Sequence, residues 1–489
     1  MKMIPPDEFG NEVAQYDPIT VVHMCANACR EMDKAHQTLR EGTLNGQKVV
    51  VTQHTFAELV MWAIRNHPSA GSKTPSPADV TRLANNIYSI QDPFLNTKAG
   101  GIMTLMRVAY EQFPYQEQLQ YQISRHLVLY LESNPPQLSF DFDIEFRKVT
   151  GLTVKEFMML GFMFYAATSA FTYFDRNFVE NTKVTSLRPY VSPQNVDAFL
   201  AIAGIDFETF RNIRLEEEKI EPSLGRFTFN PLLSHPVIEL PDGMLCVPVP
   251  RLLIYRITQG IYYDLLDAHS QPQGNIFSTW FGYAFQEYIG TILKDAFGGD
   301  NVYSEVAEVD WLVILEDTAL VIECRSGRML KKIRSKTNRD DVLEMIRRNI
   351  VDPAQKLPGK ISKIEEGIPG IPTDKVQTYL PVIITYQEWY PTALTLDLAR
   401  SELKHTDAEN FHFELMSTDD IEWLLAWSKY ENPANVLQEM RKDVSVKDVS
   451  VGQYVGVRAK RRGITKIDKT LLSKKRSEYL GEIFPESED

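Results

Sequence analysis

The chain has 489 residues, a formal net charge of −13, 44% hydrophobic residues and 24% charged residues. These values exclude a disordered chain and a single ordinary domain, and they fit two or three globular domains with a sizeable core. They also exclude a surface that is basic as a whole, so any nucleic-acid binding rests on local basic patches.

Four cysteines, Cys25, Cys29, Cys246 and Cys324, are too few for a disulfide framework in so long a chain, which fits a reducing cytoplasm. His23, Cys25 and Cys29 lie close together, but no second ligand pair follows at zinc-site spacing, so small residues on a helix is the preferred reading. The N-terminus MKMIPPDEFGNEV lacks the basic-then-apolar order of a signal peptide.

Residues 1–235 are expected to form a mostly helical domain. TFAELVMWAIRNH (55–67) and GGIMTLMRVAYEQF (100–113) space their apolar residues as helices do. Thr153 with Glu156 predicts a capping box, and Ser192 followed by Pro193 predicts another helix start. Residues 157–174 are uncharged for 18 positions, at the lower limit for spanning a bilayer. Thr168, Ser169 and Thr172, with no strongly basic flank, favour a buried core helix instead. No fixed-period repeat and no GxxxxGK[ST] phosphate loop occur. Residues 236–276 read as a proline-rich connector of short strands and turns, followed by the helical stretch LLIYRITQGIYYDLL.

Residues 277–430 differ in character. FSTWFGYAFQEYIGTILKDAFG (277–298) predicts an amphipathic helix closed by glycine, and NVYSEVAEVDWLVILEDTALVIECRS predicts three strands with a turn at Glu316–Thr318. A basic stretch, a short helix begun by Asp352 and Pro353, and a strand in VQTYLPVIITYQEWY (376–390) follow. Helix, strands, helix, strand is an α/β unit around a mixed sheet. Residues 431–489 form a basic C-terminal tail, with nine basic residues and one acid between 457 and 477. The interleaved Ile464, Ile467, Leu471 and Leu472 fit a helix that docks, while an arm on nucleic acid, an intermolecular contact and a disordered tail stand as alternatives.

The chemistry concentrates in VDWLVILEDTALVIECRS (309–326). Strand alternation puts Glu323 and Arg325 on one face and Cys324 on the other. Pairing through the turn brings Asp310, six residues before Glu316, near Glu323, five after Thr318. Two converging carboxylates suit Mg²⁺ or Mn²⁺, and the Cys324 carbonyl is a further donor. A cation so held polarises a phosphodiester and lowers the pKa of an attacking water. Arg325 is the candidate to hold the scissile phosphate, and Glu287, among aromatic neighbours on the preceding helix, is a candidate auxiliary acid. The rival reading is an ordinary hairpin with solvated strand-end charges. RSGRMLKKIRSKTNR (325–339) follows at once, and Arg328, Lys331, Lys332, Arg334 and Lys336 in it are candidate nucleic-acid contacts.

A helix glutamate, a strand with aspartate and a strand ending Glu-x-basic resemble the PD-(D/E)xK nuclease superfamily over about residues 277–390. The matching positions are Glu287, Asp310, Glu323 and Arg325, and Gln355 resembles a downstream glutamine of some members. The resemblance implies a metal-dependent nuclease core with Mg²⁺ or Mn²⁺ on Asp310 and Glu323. The chain departs from the family by carrying Arg325 where lysine is usual. Arginine keeps the charge and grips phosphate in two places, but it cannot act as a base. Lys331 and Lys332 are candidates for a migrated lysine.

The expectation is therefore an α+β multidomain protein, with a mostly helical N-terminal domain followed by a restriction-endonuclease-like α/β core with a mixed sheet. The expected activity is metal-dependent endonucleolytic hydrolysis of DNA, although composition does not separate DNA from RNA. By analogy of parts the arrangement looks like prokaryotic restriction or anti-phage defence. The alternative is an inactive nuclease-like protein that binds nucleic acid or assembles a complex. No membrane contact is expected, and a homodimer or a partner protein would use the helical domain.

Overall fold

The structure, a computed structural model, describes residues 3–483 apart from 45, 68–69, most of 92–118, 181–184, 221–228, 272–273, 329–338, 390–391, 444–445, 447–448 and 466. The first helix considered, α1 (Pro18–Lys34), starts where the Asp17 carboxylate accepts from the Thr20 N–H at 2.8 Å. A hairpin follows, β1 (Leu39–Leu44) and β2 (Gln47–Thr52), then α2 (Gln53–Arg65) and α3 (Pro77–Asn86). The helix expected over 100–113 falls mostly outside the described residues.

Helices α4 (Leu119–Leu127) and α5 (Val154–Ala170) come next. The expected capping box opens α5: the Glu156 N–H donates to Thr153 Oγ1 at 3.1 Å, and the Thr153 N–H donates to Glu156 Oε2 at 2.7 Å. Phe157 and Phe164 of α5 are fully buried and meet the ring of Phe199. No described helix is long and apolar enough to cross a membrane.

A second sheet corrects the expected boundary at 235. Strands β3 (Tyr173–Phe174) and β4 (Gly204–Asp206) join β5 (Val237–Glu239) and β6 (Leu245–Cys246) in the order β3-β6-β5-β4. Residues 236–276 thus complete the N-terminal sheet instead of linking two units, because strands of two or three residues cannot stand without partners. The prolines mark strand ends. The stretch 250–268 is helical as expected, with a π-turn at Arg256–Gly260.

The remaining elements are α6 (Ile276–Phe297), β7 (Val302–Val306), β8 (Val309–Leu315), β9 (Thr318–Arg325), α7 (Arg339–Ile346), α8 (Asp352–Glu365), β10 (Thr378–Thr385), α9 (Thr392–Leu403), β11 (Glu414–Ser417) and α10 (Thr418–Trp427). Their sheet runs β11-β10-β9-β8-β7, antiparallel from β7 to β9 and parallel from β9 to β11, which is a mixed sheet. Leu315 pairs with Thr318, so the β8–β9 loop is Glu316–Asp317 alone, with Glu316 at φ 57°. Thr318, expected in the turn, belongs to β9.

Side-chain alternation divides the sheet's packing. Trp311, Val313, Leu320 and Ile322 join the core that holds α6, while Leu312, Ile314, Ala319 and Val321 join the core that holds α7 and α8. The α6 core is continuous with the N-terminal part: one apolar cluster runs from Leu127 and Phe157 through Trp280 to Ile322 and Trp427.

The C-terminal segment is docked. α11 (Thr470–Ile483) packs on α4, and Leu472 is buried. Some of its cations pair within the chain: Arg458 with Glu431 and Glu439, and Lys475 with Glu132. Lys469 and Arg125 both pair with Glu422 in the interior. Burial opposes ionisation of Glu422, yet Arg125 and Lys469 hold its carboxyl at about 2.

Helix and sheet approach closely at Gly290, where an added Cβ would lie 2.0 Å from Trp311 Cζ2. The Trp311 indole N–H donates to the Gln286 carbonyl at 2.9 Å, so the ring cannot swing away freely. Gly290→Val should destabilise the fold by about 2–3 kcal/mol, as overpacked cores do, and a denaturant titration of the two proteins measures it. Equal midpoints would show that α6 and β8 are not in this contact.

Candidate active site

Two carboxylates meet because β8 and β9 are paired. Trp311 lies opposite Ile322, and one step further along the same register sets Asp310 opposite Glu323. Residues directly opposite point to the same face, here the face that carries α8. The expected convergence of Asp310 and Glu323 is present. The backbone leading into β8 is left-handed at Glu305, within β7, and at Ala307 and Glu308 in the turn, with φ of 55°, 49° and 68°. Such strain in non-glycine residues clusters at functional sites.

Glu323 is buried, with 3% of its side chain exposed. Its Oε2 accepts from an Arg325 guanidinium N–H at 2.8 Å, and its Oε1 accepts from Lys360 Nζ. Lys360 comes from α8 and also donates to the Glu308 carbonyl at 2.6 Å. Arg325 donates a second N–H to the Cys324 carbonyl at 3.0 Å. Asp310 Oδ2 accepts from the Cys324 N–H at 2.6 Å. Burial raises the Asp310 carboxyl, and the nearby Glu323 charge raises it further, to about 6 from an ordinary 3.8. The cluster holds two carboxyl groups and two cationic side chains. The Cys324 thiol is buried on the other face, where desolvation pushes its pKa well up.

Two sequence expectations change. Glu287 is not brought to the pair: α6 packs on the opposite face, and Glu287 Oε2 accepts from the Asn134 N–H at 2.8 Å. Arg328 is not a nucleic-acid contact. It is 3% exposed, its guanidinium lies 4.2 Å from the Tyr262 ring and 4.3 Å from the Tyr386 ring, and it donates to the Gln259 carbonyl at 2.9 Å. Cation–π and hydrogen-bond partners replace its water, so it pins the chain after β9 to the helix carrying Gln259. Gln355 is exposed on α8. Lys331, Lys332, Arg334 and Lys336 lie outside the described residues.

Sequence reasoning missed Lys360. Lys356, Lys360 and Lys363 recur at i, i+4 and i+7 in a helix whose start was legible at Asp352-Pro353. That spacing puts all three on one side of the helix, and strand alternation puts Glu323 on the matching side of the sheet.

The donor set fits a hard divalent cation. Mg²⁺ keeps several waters and binds proteins through one or two carboxylates plus substrate oxygens. Asp310 and Glu323 supply two carboxylates, while among the described residues no group of three or more acidic, histidine or cysteine side chains has metal-site geometry. The Glu323 oxygens and the Cys324 carbonyl now face the Lys360 ammonium and the Arg325 guanidinium, which balance the charge that a cation would balance. Compared with known proteins, the chain matches no family model, no curated protein and no solved structure.

The raised Asp310 carboxyl sets a sign for stability. Its contribution is whole below the ordinary value of 3.8 and is lost as pH rises through about 6. Asp310→Asn should therefore stabilise the metal-free protein at pH 8, by on the order of 1–3 kcal/mol, with the gain vanishing near pH 4. Denaturation in EDTA at the two pH values checks this. A variant less stable than wild type at pH 8 would contradict it.

Proposed function

We propose that the chain is a metal-dependent phosphodiesterase acting on DNA as an endonuclease, in restriction or anti-phage defence. The observation that carries the reading is the Lys360 ammonium on Glu323 beside Asp310, which restores a lysine to the site where the motif has Arg325. Asp310 and Glu323 would hold Mg²⁺ or Mn²⁺, which when bound supplies Lewis-acid activation of the phosphodiester and its attacking water.

The chain's own residues supply the rest. Lys360 has three N–H donors on a flexible stem and can pass from Glu323 to a phosphate oxygen or a water. Arg325, with 29% of its side chain exposed, has the reach and planar fork to grip a phosphate once it leaves Glu323. Asp310 stays hydrogen-bonded to the β9 backbone, which keeps its carboxylate aimed. The substrate's negative charge draws both cations off Glu323, which frees its oxygens. The basic run from Arg325 to Arg339 supports a nucleic-acid substrate.

A second reading rests on one observation: both Glu323 oxygens are already paired, as in a structural ion cluster on a fold that binds nucleic acid without cutting. Cleavage of supercoiled plasmid in Mg²⁺ or Mn²⁺ separates the two. Wild type should nick or cut; Asp310→Ala and Lys360→Ala should each lose about 10²-fold or more; Glu287→Gln should stay close to wild type. Absent cleavage with retained DNA binding would establish the second reading. Full activity in Lys360→Ala would remove Lys360 from the mechanism.

A further inference from the structure

We infer, resting on the reading of Arg325 as the residue that grips the substrate phosphate, that Arg328 is a positioning residue for it. Through Tyr386, Arg328 fixes the backbone from which Arg325 reaches. Arg325 ends β9, so its side chain extends from a strand terminus and not from a strand interior. Its guanidinium is bonded to Glu323 and to the Cys324 carbonyl, and it must leave Glu323 to hold substrate. A long side chain that changes partners binds well only when its backbone is held still, because each further freedom is lost again on binding.

The chain from Arg325 to Arg328 is held at three points. The Arg325 carbonyl accepts from the Tyr386 N–H at 2.9 Å. Gly327 lies against buried Asn349, where an added Cβ would be 2.0 Å from Asn349 Oδ1. Asn349 Nδ2 donates to the Met345 carbonyl at 2.8 Å, so this side chain is itself fixed. The Arg328 guanidinium donates to two acceptors of Gln259, the carbonyl at 2.9 Å and Oε1 at 2.7 Å. Tyr386 joins the two ends: its N–H holds Arg325, and its ring lies 4.3 Å from the Arg328 guanidinium. A shift of that guanidinium therefore moves the residue that holds Arg325. Both flanking contacts come from π-turns, Gln259 in Arg256–Gly260 and Asn349 in Arg347–Val351. Such bulges in helices are frequent at functional sites.

A guanidinium is a costly way to fill this space. Arg328 is buried, tyrosines and not carboxylates surround its charge, and its Nε has no hydrogen-bond partner. An apolar side chain would fill the gap among Tyr262, Phe281 and Tyr386 without that desolvation. What it would lack is direction. The planar fork meets two acceptors of one residue while aromatic rings hold its faces, which fixes a position.

A double-mutant cycle on DNA affinity tests this with the full-length protein. The readout is the Kd for a fluorescein-labelled DNA duplex by anisotropy, with Ca²⁺ in place of Mg²⁺ to keep the DNA uncut. Arg325→Ala and Arg328→Met should each weaken binding about tenfold. The double variant should bind no worse than the weaker single one, because both changes remove the same grip. Hydrogen exchange at the Tyr386 amide should also be faster in Arg328→Met. A merely structural Arg328 would lower Tm and multiply the two losses. Arg328→Lys keeps a cation among the rings without the fork, so its affinity should fall between wild type and Arg328→Met. It takes the place of the methionine variant in the cycle if that variant does not fold. Losses that multiply, or wild-type affinity in Arg328→Met, would overturn the inference and leave Arg325 as the grip. Wild-type affinity in Arg325→Ala would overturn the role of Arg325 and this inference with it.

Discussion

The pairing of β8 with β9 is the constraint on which the candidate site depends. It sets Asp310 against Glu323 on one face of a sheet whose other face is closed by α6. Two acids side by side and largely out of water are costly to ionise together, and Asp310 rises to about 6, first through burial and then through repulsion from Glu323. The chain offsets it with two cations of different origin. Arg325 comes from two residues along the same strand, whereas Lys360 comes from a helix on the far side of the basic run. The left-handed turn at Ala307–Glu308 gives Lys360 its second partner, the Glu308 carbonyl.

The rest of the molecule grips this unit from the α6 side. Arg328 ties the chain after β9 to Gln259, and Tyr386, just past β10, donates its hydroxyl to His126 Nε2 at 2.6 Å. The donor sense follows from the other nitrogen: His126 Nδ1 faces the Gln122 carbonyl, which can only accept, and burial holds the ring well below its ordinary pKa and so neutral. Arg125 of α4, Glu422 of α10 and Lys469 of the C-terminal segment close a buried ion cluster with Tyr288 of α6. Removing one member of such a cluster leaves a charge uncompensated in the interior, which is far more damaging than losing a surface pair. Residues 127–203, the α6 face of the sheet and the C-terminal segment therefore share one core.

Much of this was legible from local chemistry. The capping box at Thr153, the α6 helix ending at Gly298 and the alternation of 309–325 all follow from short-range rules, and the Asp310–Glu323 meeting follows from counting back from a turn. What was missed depends on distant partners. Arg328 looked like part of a solvated basic run, and only the rings of Tyr262 and Tyr386, from far along the chain, make it an interior residue. Glu287 had the right helix but the wrong face, which sequence spacing does not reveal. The boundary at 235 was set by prolines that end strands as readily as they mark linkers. The β1–β2 hairpin carried a local signal, Asn45-Gly46 between alternating residues, which a helical reading of the whole N-terminal part passed over.

The central claim is that Asp310 and Glu323 form one cation site. Titration of the metal-free protein with Mn²⁺, with free ion counted by electron paramagnetic resonance, tests it without requiring catalysis. The account predicts saturable binding that is lost in Asp310→Ala and in Glu323→Gln and kept in Glu287→Gln. Binding that survives the first two substitutions, or that depends on Glu287, would contradict it.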